Sequence, residues 1–162
     1  MKKPVITLKS VKLFTSGSEE TPCYNAKLYV DGKFLTHVDN DGRGGPDRMD
    51  WTNSEEIERV EKLVAATFPK SSYTNNGETH YFDASLEGIC HELAWRSVDV
   101  RNFASKLSRT VMIVKGKDVY ALKGKASAVL IELANKRYGK DAVLNNMTSS
   151  AAFDRVEELS AA

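Results

Sequence analysis

The chain holds only two cysteines in 162 residues, and that scarcity narrows what it can be. Cys23 and Cys90 lie far apart, and neither has a Cys-x-x-Cys partner, so a disulfide framework or a thiol redox pair has no local support. Both are expected to be buried free thiols. Long apolar runs are missing too. No stretch approaches the roughly 20 residues that a spanning helix needs, and Met-Lys-Lys-Pro is not followed by an apolar signal core. A cytoplasmic protein without membrane contact is the expectation. There is no internal repeat and no low-complexity segment. Strong charge of one sign is also absent, because the net charge is +1.

What is present is ordinary in amount and uneven in placement. Hydrophobic residues make up 41% and charged residues 28% of the chain, which suits a globular protein large enough to need neither a zinc nor a disulfide staple. Between Asp39 and Lys62 eight acids face four bases, whereas between Arg96 and Lys140 eleven bases face three acids. The second block favours anionic partners if it forms one surface; a solvated face is the plainer alternative.

Period-two alternation predicts a strand over Val5 to Phe14 with a bulge near Lys9-Ser10, and a second over Cys23 to Val30 with Tyr24, Ala26, Leu28 and Val30 on one face. Asp31-Gly32 is a hairpin signal, and Phe34 to Val38 returns as a third strand. Thr52, Asn53 or Ser54 is expected to cap a helix carrying Ile57, Val60, Leu63, Val64 and Phe68, which Pro69 ends. Lys70 to Thr79 reads as a surface loop, and His80-Tyr81-Phe82-Asp83 as a short strand or an aromatic plug. Asp83 or Ser85 can cap a second helix reaching Leu107, with a break near Ser97 to Asp99. Thr110 to Val114 and Asp118 to Leu122 form a second hairpin. A helix over Ser127 to Tyr138 follows, its apolar side carrying Leu130, Leu133, Ala134 and Tyr138 and its end marked by Gly139. Ala142-Val143-Leu144 could add a strand, and Ser149 to Leu159 is expected to be a last helix. The sum is a single α+β domain over 1–162. Its antiparallel sheet of two hairpin units is packed with three to four helices, arranged as an N-terminal meander (5–51), a helical segment (54–108) and a C-terminal hairpin with helices (110–159).

The chemistry concentrates in Val38 to Trp51, which holds three of the ten glycines, four aspartates and two arginines. Read as a calcium loop, Asp39, Asp41, Gly44, Asp47 and Asp50 occupy positions one, three, six, nine and twelve. Arg43, however, stands at position five, where an oxygen ligand is wanted, and position twelve lacks the glutamate. Read as an anion cradle, Gly42-Arg43-Gly44-Gly45 aims amides at a phosphate or carboxylate, with Arg43 and Arg48 adding charge. No lysine with Ser or Thr follows the glycines and no Gly-x-Gly-x-x-Gly opens a helix, so neither nucleotide fingerprint is spelled. Two further readings remain: a structural loop whose aspartates cap turns, and a loop used for macromolecular contact through Asp39, Asp41, Arg43, Asp47, Arg48 and Trp51.

Elsewhere, Glu87 and His91 stand four apart on the second helix with Glu92 beside them, but no second histidine or cysteine shares their face, and His37 and His80 are isolated. No catalytic residue, metal ligand or cofactor is assigned. Lys115, Lys117, Lys123, Lys125, Lys136, Arg137 and Lys140, with Tyr120 and Tyr138 among them, form the best basic patch for a nucleic-acid backbone.

The stretches Ser18-Glu19-Glu20-Thr21, Leu28-Tyr29-Val30-Asp31-Gly32-Lys33 and Asn40-Asp41-Gly42-Arg43-Gly44-Gly45 resemble a group of small proteins from phage and bacterial genomes that has no established activity. The resemblance is strongest over Glu19 to Trp51, about a fifth of the chain, and weaker over Thr110 to Leu122. It implies a phage-type accessory protein in a bacterial cytoplasm and carries no site residues over. The leading expectation is non-enzymatic binding and inhibition of a host macromolecule, such as a defence nuclease complex of the kind that anti-CRISPR proteins target. Nucleic-acid binding through 115–140 is the alternative, and a hydrolase using a divalent ion on the aspartate loop is the third.

Overall fold

A computed structural model describes residues 2–161; the side chain of Trp51 lies outside the described residues. The fold is α+β, with antiparallel sheets and four helices. The chain divides into two compact units, one up to Ser97 and one from Val98 on.

In the first unit, β1 (Ile6–Leu13), β2 (Cys23–Val30), β3 (Lys33–Asp41) and β4 (Arg48–Met49) form a four-stranded sheet in sequential order. The β1–β2 register shifts between Lys9 and Lys12. Ser10 takes a positive φ of 55° there, so the bulge sits where the change in apolar parity put it. Asp31 and Gly32, at φ 48° and 80°, make the two-residue turn that matches strand twist. A second irregularity, between Leu28 and Tyr29, leaves Leu35 as an extra residue on β3. For that reason Leu35 and Thr36 are both buried despite being adjacent.

Tyr24, Ala26, Leu28 and Val30 present one face of β2 to the core, where Ile57, Val60 and Val64 of α1 (Ser54–Thr67) and Leu86, Cys90 and Ala94 of α2 (Leu86–Leu107) join them. The i, i+3, i+7 and i, i+4, i+8 spacings make one stripe per helix. Each fully buried valine or leucine contributes about 1.5–3 kcal/mol. Asn53 precedes α1, but its side chain does not cap it; the amide instead donates to Leu35 O at 3.2 Å. Ser85 Oγ accepts from Gly88 N at 3.0 Å and caps α2. Glu61 of α1 also receives the Leu86 N–H at 3.0 Å.

Two expectations are corrected here. Residues 70–79 are not a loop: β5 (Ser71–Asn75) and β6 (Glu78–Phe82) pair as a separate two-stranded ribbon. The polar composition hid it, because a ribbon exposed on every residue has no apolar alternation to read. His80-Tyr81-Phe82 is a strand of that ribbon and not a plug. The expected break near Ser97 is also absent, since α2 is continuous.

In the second unit, β7 (Met112–Lys115) and β8 (Asp118–Ala121) form the expected hairpin. Ser127 caps α3 (Ala128–Tyr138) by accepting from Leu130 N, and α4 spans Ser149–Ala161. Leu107, Met112, Leu144 and Ala152 make one buried cluster, and Val111, Ile113, Ala134 and Val143 make another. Val143 forms only a bridge to Ile113 between two 3-10 turns, so the expected strand over 142–144 does not form. Leu133, placed on the apolar side of α3 by spacing, is 57% exposed.

Candidate functional site

The glycine-rich loop is built from its inner face. Tyr24 and Asn40 are directly paired across β2 and β3, both are almost fully buried, and both reach the side chain of Asp47. Tyr24 Oη donates to Asp47 Oδ2 at 2.5 Å, and Asn40 Nδ2 donates to Asp47 Oδ1 at 3.1 Å. His91 Nε2 lies 2.8 Å from the same Oδ1. The Asp47 side chain is 1% exposed. A carboxylate so deep is tolerated because Tyr24 and Asn40 donate to its two oxygens and His91 lies against one of them.

Asn40 does more than hold Asp47. Its Nδ2 also donates to Gly45 O at 2.9 Å, and its Oδ1 accepts from Gly42 N at 2.8 Å and Thr21 Oγ1 at 2.7 Å. Gly42 O in turn receives the N–H groups of Glu19, Glu20 and Thr21. Gly42 has φ 85°, and a Cβ there would lie 2.1 Å from the Gly17 carbonyl oxygen. Only glycine fits. The loop is therefore an ordered turn fastened to the 18–21 segment.

α2 supplies the other wall. Glu87 and His91, one turn apart, flank the Leu86–Cys90–Ala94 stripe. Glu87 Oε1 accepts the Asp47 N–H at 2.9 Å and stands 3.9 Å from His91 Nε2. The Tyr24 and His91 rings meet edge to face at 6.3 Å. Burial, then the hydrogen bond to Asp47, pushes the Tyr24 phenol far up, so it remains a donor at any physiological pH. Burial, reinforced by Asp47, likewise pushes the Cys90 thiol up. That leaves a thiol and not a nucleophile.

Of the six loop residues singled out from sequence, the structure turns one inward and leaves four at the surface. Asp47 is the buried anchor. Asp39 and Arg48 are cross-strand partners, joined at 2.7 Å on the exposed side. Asp41 is exposed and its Oδ1 accepts from Arg43 N at 3.2 Å, while the Arg43 side chain is exposed. Trp51 opens a 3-10 turn, and its side-chain placement is outside the described residues. The calcium-loop set is not assembled. Among the described residues, the group of three or more potential ligands is Asp47, Glu87 and His91, whose ligand atoms lie within 4.8 Å of one another. Sequence reasoning missed that grouping because Asp47 and His91 are 44 positions apart. No motif spells a ligand set divided between a loop and a helix.

The alternative patch lies in the second unit. Lys115, Lys117, Lys123, Lys125, Lys136, Arg137 and Lys140 are all exposed there. Lys123, Lys136 and Arg137 rim a groove of about 570 Å³ floored by Leu122, Leu130 and Tyr138. Lys136 is also paired with Glu132 at 2.9 Å. Among the described residues, no helix is long and apolar enough to cross a membrane. Comparison with protein-family models, with curated proteins and with solved structures finds no match to this chain.

Proposed function

We propose that the protein acts by binding a macromolecular partner, without chemistry, and inhibits it. The observation that carries this reading is the β5–β6 ribbon. Tyr73, Tyr81 and Phe82 are 59%, 69% and 56% exposed on a segment, Ser-Ser-Tyr-Thr-Asn-Asn-Gly-Glu-Thr-His-Tyr-Phe, that carries a single charge. Tyrosine offers large, stiff contact area, while serine and asparagine offer adaptable hydrogen bonds, which is the composition of a recognition surface. A two-stranded ribbon exposed on both faces is marginal alone and gains from being covered. The glycine-rich loop supplies a second contact element. Its interior is tied down by Asn40 and Asp47, so Asp41 and Arg43 are presented without an ordering cost. A host or defence complex in a bacterial cytoplasm is the partner class to which the phage-type resemblance of 19–51 points.

The test is capture from bacterial lysate by the wild type, by Tyr73→Ser/Tyr81→Ser and by Arg43→Glu. The ribbon variant should keep its melting temperature and lose the partner at least tenfold, and the loop variant should weaken it. A partner held equally by all three, or none above the control, overturns the reading.

A second reading has its own observation. From Val98 on, eleven bases and seven acids leave the second unit net +4, and three of its cations, Lys123, Lys136 and Arg137, line a groove that also holds Tyr138. We propose nucleic-acid binding there as the alternative. It predicts a steep fall of affinity with salt and relief of that slope in Lys123→Glu/Arg137→Glu. An absence of binding at low salt removes it.

A further inference from the structure

We propose that Asp47, Glu87 and His91 form a binding site for one divalent first-row transition-metal ion of the zinc class. The inference stands apart from the partner-binding reading, since it concerns the inner side of the loop and not its outer face. Three observations converge on it. The ligand atoms, one imidazole nitrogen and two carboxylate oxygens, lie within 4.8 Å of one another. They come from two elements that the hydrogen bonds already hold together. A nitrogen with two oxygens suits zinc, cobalt or manganese better than calcium or magnesium, which take oxygen sets.

Charge argues in the same direction. Asp47 is buried and Glu87 lies beside it, yet among the described residues no lysine or arginine is paired with either; their ion pairs run to His91 alone. Two carboxylates against one imidazole leave negative charge that a dication would balance. The surroundings also resemble the outer ring of a metal centre. Tyr24 fixes Asp47 Oδ2 and Asn40 steadies Oδ1, which are the kind of partners that orient ligating groups.

His91 Nε2 donates to Asp47 when it carries a proton. Metal binding uses the tautomer with the proton on Nδ1, so that Nε2 and Asp47 Oδ1, now 2.8 Å apart, share the ion in place of a hydrogen. Glu87 releases the Asp47 N–H or swings its second oxygen inward. Its side chain is 40% exposed and that of His91 is 23% exposed, so the ion has a path from solvent and a remaining position open to water.

The experiment is titration of the metal-free full chain with Zn2+ and Co2+, followed by calorimetry, thermal shift and the visible absorption of Co2+. One saturable ion per chain is expected, with a raised melting temperature. Glu87→Gln and His91→Gln, both at partly exposed positions that can keep a hydrogen bond, should each weaken it about a hundredfold. Tyr24→Phe should weaken it roughly tenfold, as removal of an outer partner does. Asp47→Asn risks undoing the loop and is not the deciding variant. No saturable binding, or binding indifferent to Glu87→Gln and His91→Gln in folded protein, overturns the proposal.

Discussion

Asn40 concentrates more structural duty than any other polar side chain near the loop. It serves Gly42 N, Gly45 O, Thr21 Oγ1 and Asp47 Oδ1 at once, so Asn40→Ala strands buried groups instead of merely deleting one bond. A loss of about 3 kcal/mol in chemical denaturation is expected. Gly42→Ala should cost a similar amount, roughly 3 kcal/mol, because its φ of 85° is strained for alanine and the added methyl meets the Gly17 carbonyl. Tyr24 gives a pH prediction whose sign is fixed. Its phenol is raised above 10.0 in the folded state, so near and above pH 10 the unfolded chain sheds a proton that the folded chain keeps. Stability is then lost as pH rises. Cys90, raised from 9.0, adds to the same slope. Denaturant midpoints followed from pH 8 to 11 should fall more steeply in the wild type than in Tyr24→Phe/Cys90→Ala.

Among the described strands, those of the β5–β6 ribbon place no residue in the buried clusters or packed against them. Tyr73→Ser/Tyr81→Ser should change unfolding free energy by no more than about 0.5 kcal/mol, while Val64→Ala in α1 should cost several times that. Equal losses in the two variants would mean that the ribbon is structural. The contrast also marks what was legible beforehand. Strands β1 to β3, their bulge and their Asp31-Gly32 turn were readable because one face is buried and the side-chain period exposes the register. Helices α1 and α3 were readable from spacing and from Pro69 and Gly139. The ribbon was not, since nothing apolar alternates in it. That residues 42–45 form a tight turn was readable from the glycines, but the inward and outward residues of the loop were not separable. Asp39, Asp41 and Asp47 look alike in sequence, and only the pairing of Tyr24 with Asn40 shows which aspartate is swallowed.

At the scale of the whole molecule, the buried clusters separate by unit. Ile6 through Ala94 belong to the first, and Leu107 through Ala152, with Val111 through Val143, belong to the second. Leu144→Ala should therefore speed amide hydrogen exchange mainly beyond residue 98 and leave the β2–β3 amides close to wild type. Uniform acceleration would show instead that the chain unfolds as one.

The single carbonyl of Gly42, receiving three N–H groups from residues 19–21, bears on the order of folding. Those segments are neighbours only after β2 and β3 have paired with Cys23 opposite Asp41, and a slip by one residue would turn Asn40 outward and leave that carbonyl unsatisfied. The contact of Asp47 with Glu87, 40 positions away, closes a longer loop and carries the larger closure entropy. The loop's hydrogen bonds are thus satisfied in one strand register and not in its neighbours. If the loop opens before the sheet does, native-state amide exchange at Gly42 and Gly44 should be faster than at the β2–β3 amides, and equal rates would show that the two open together.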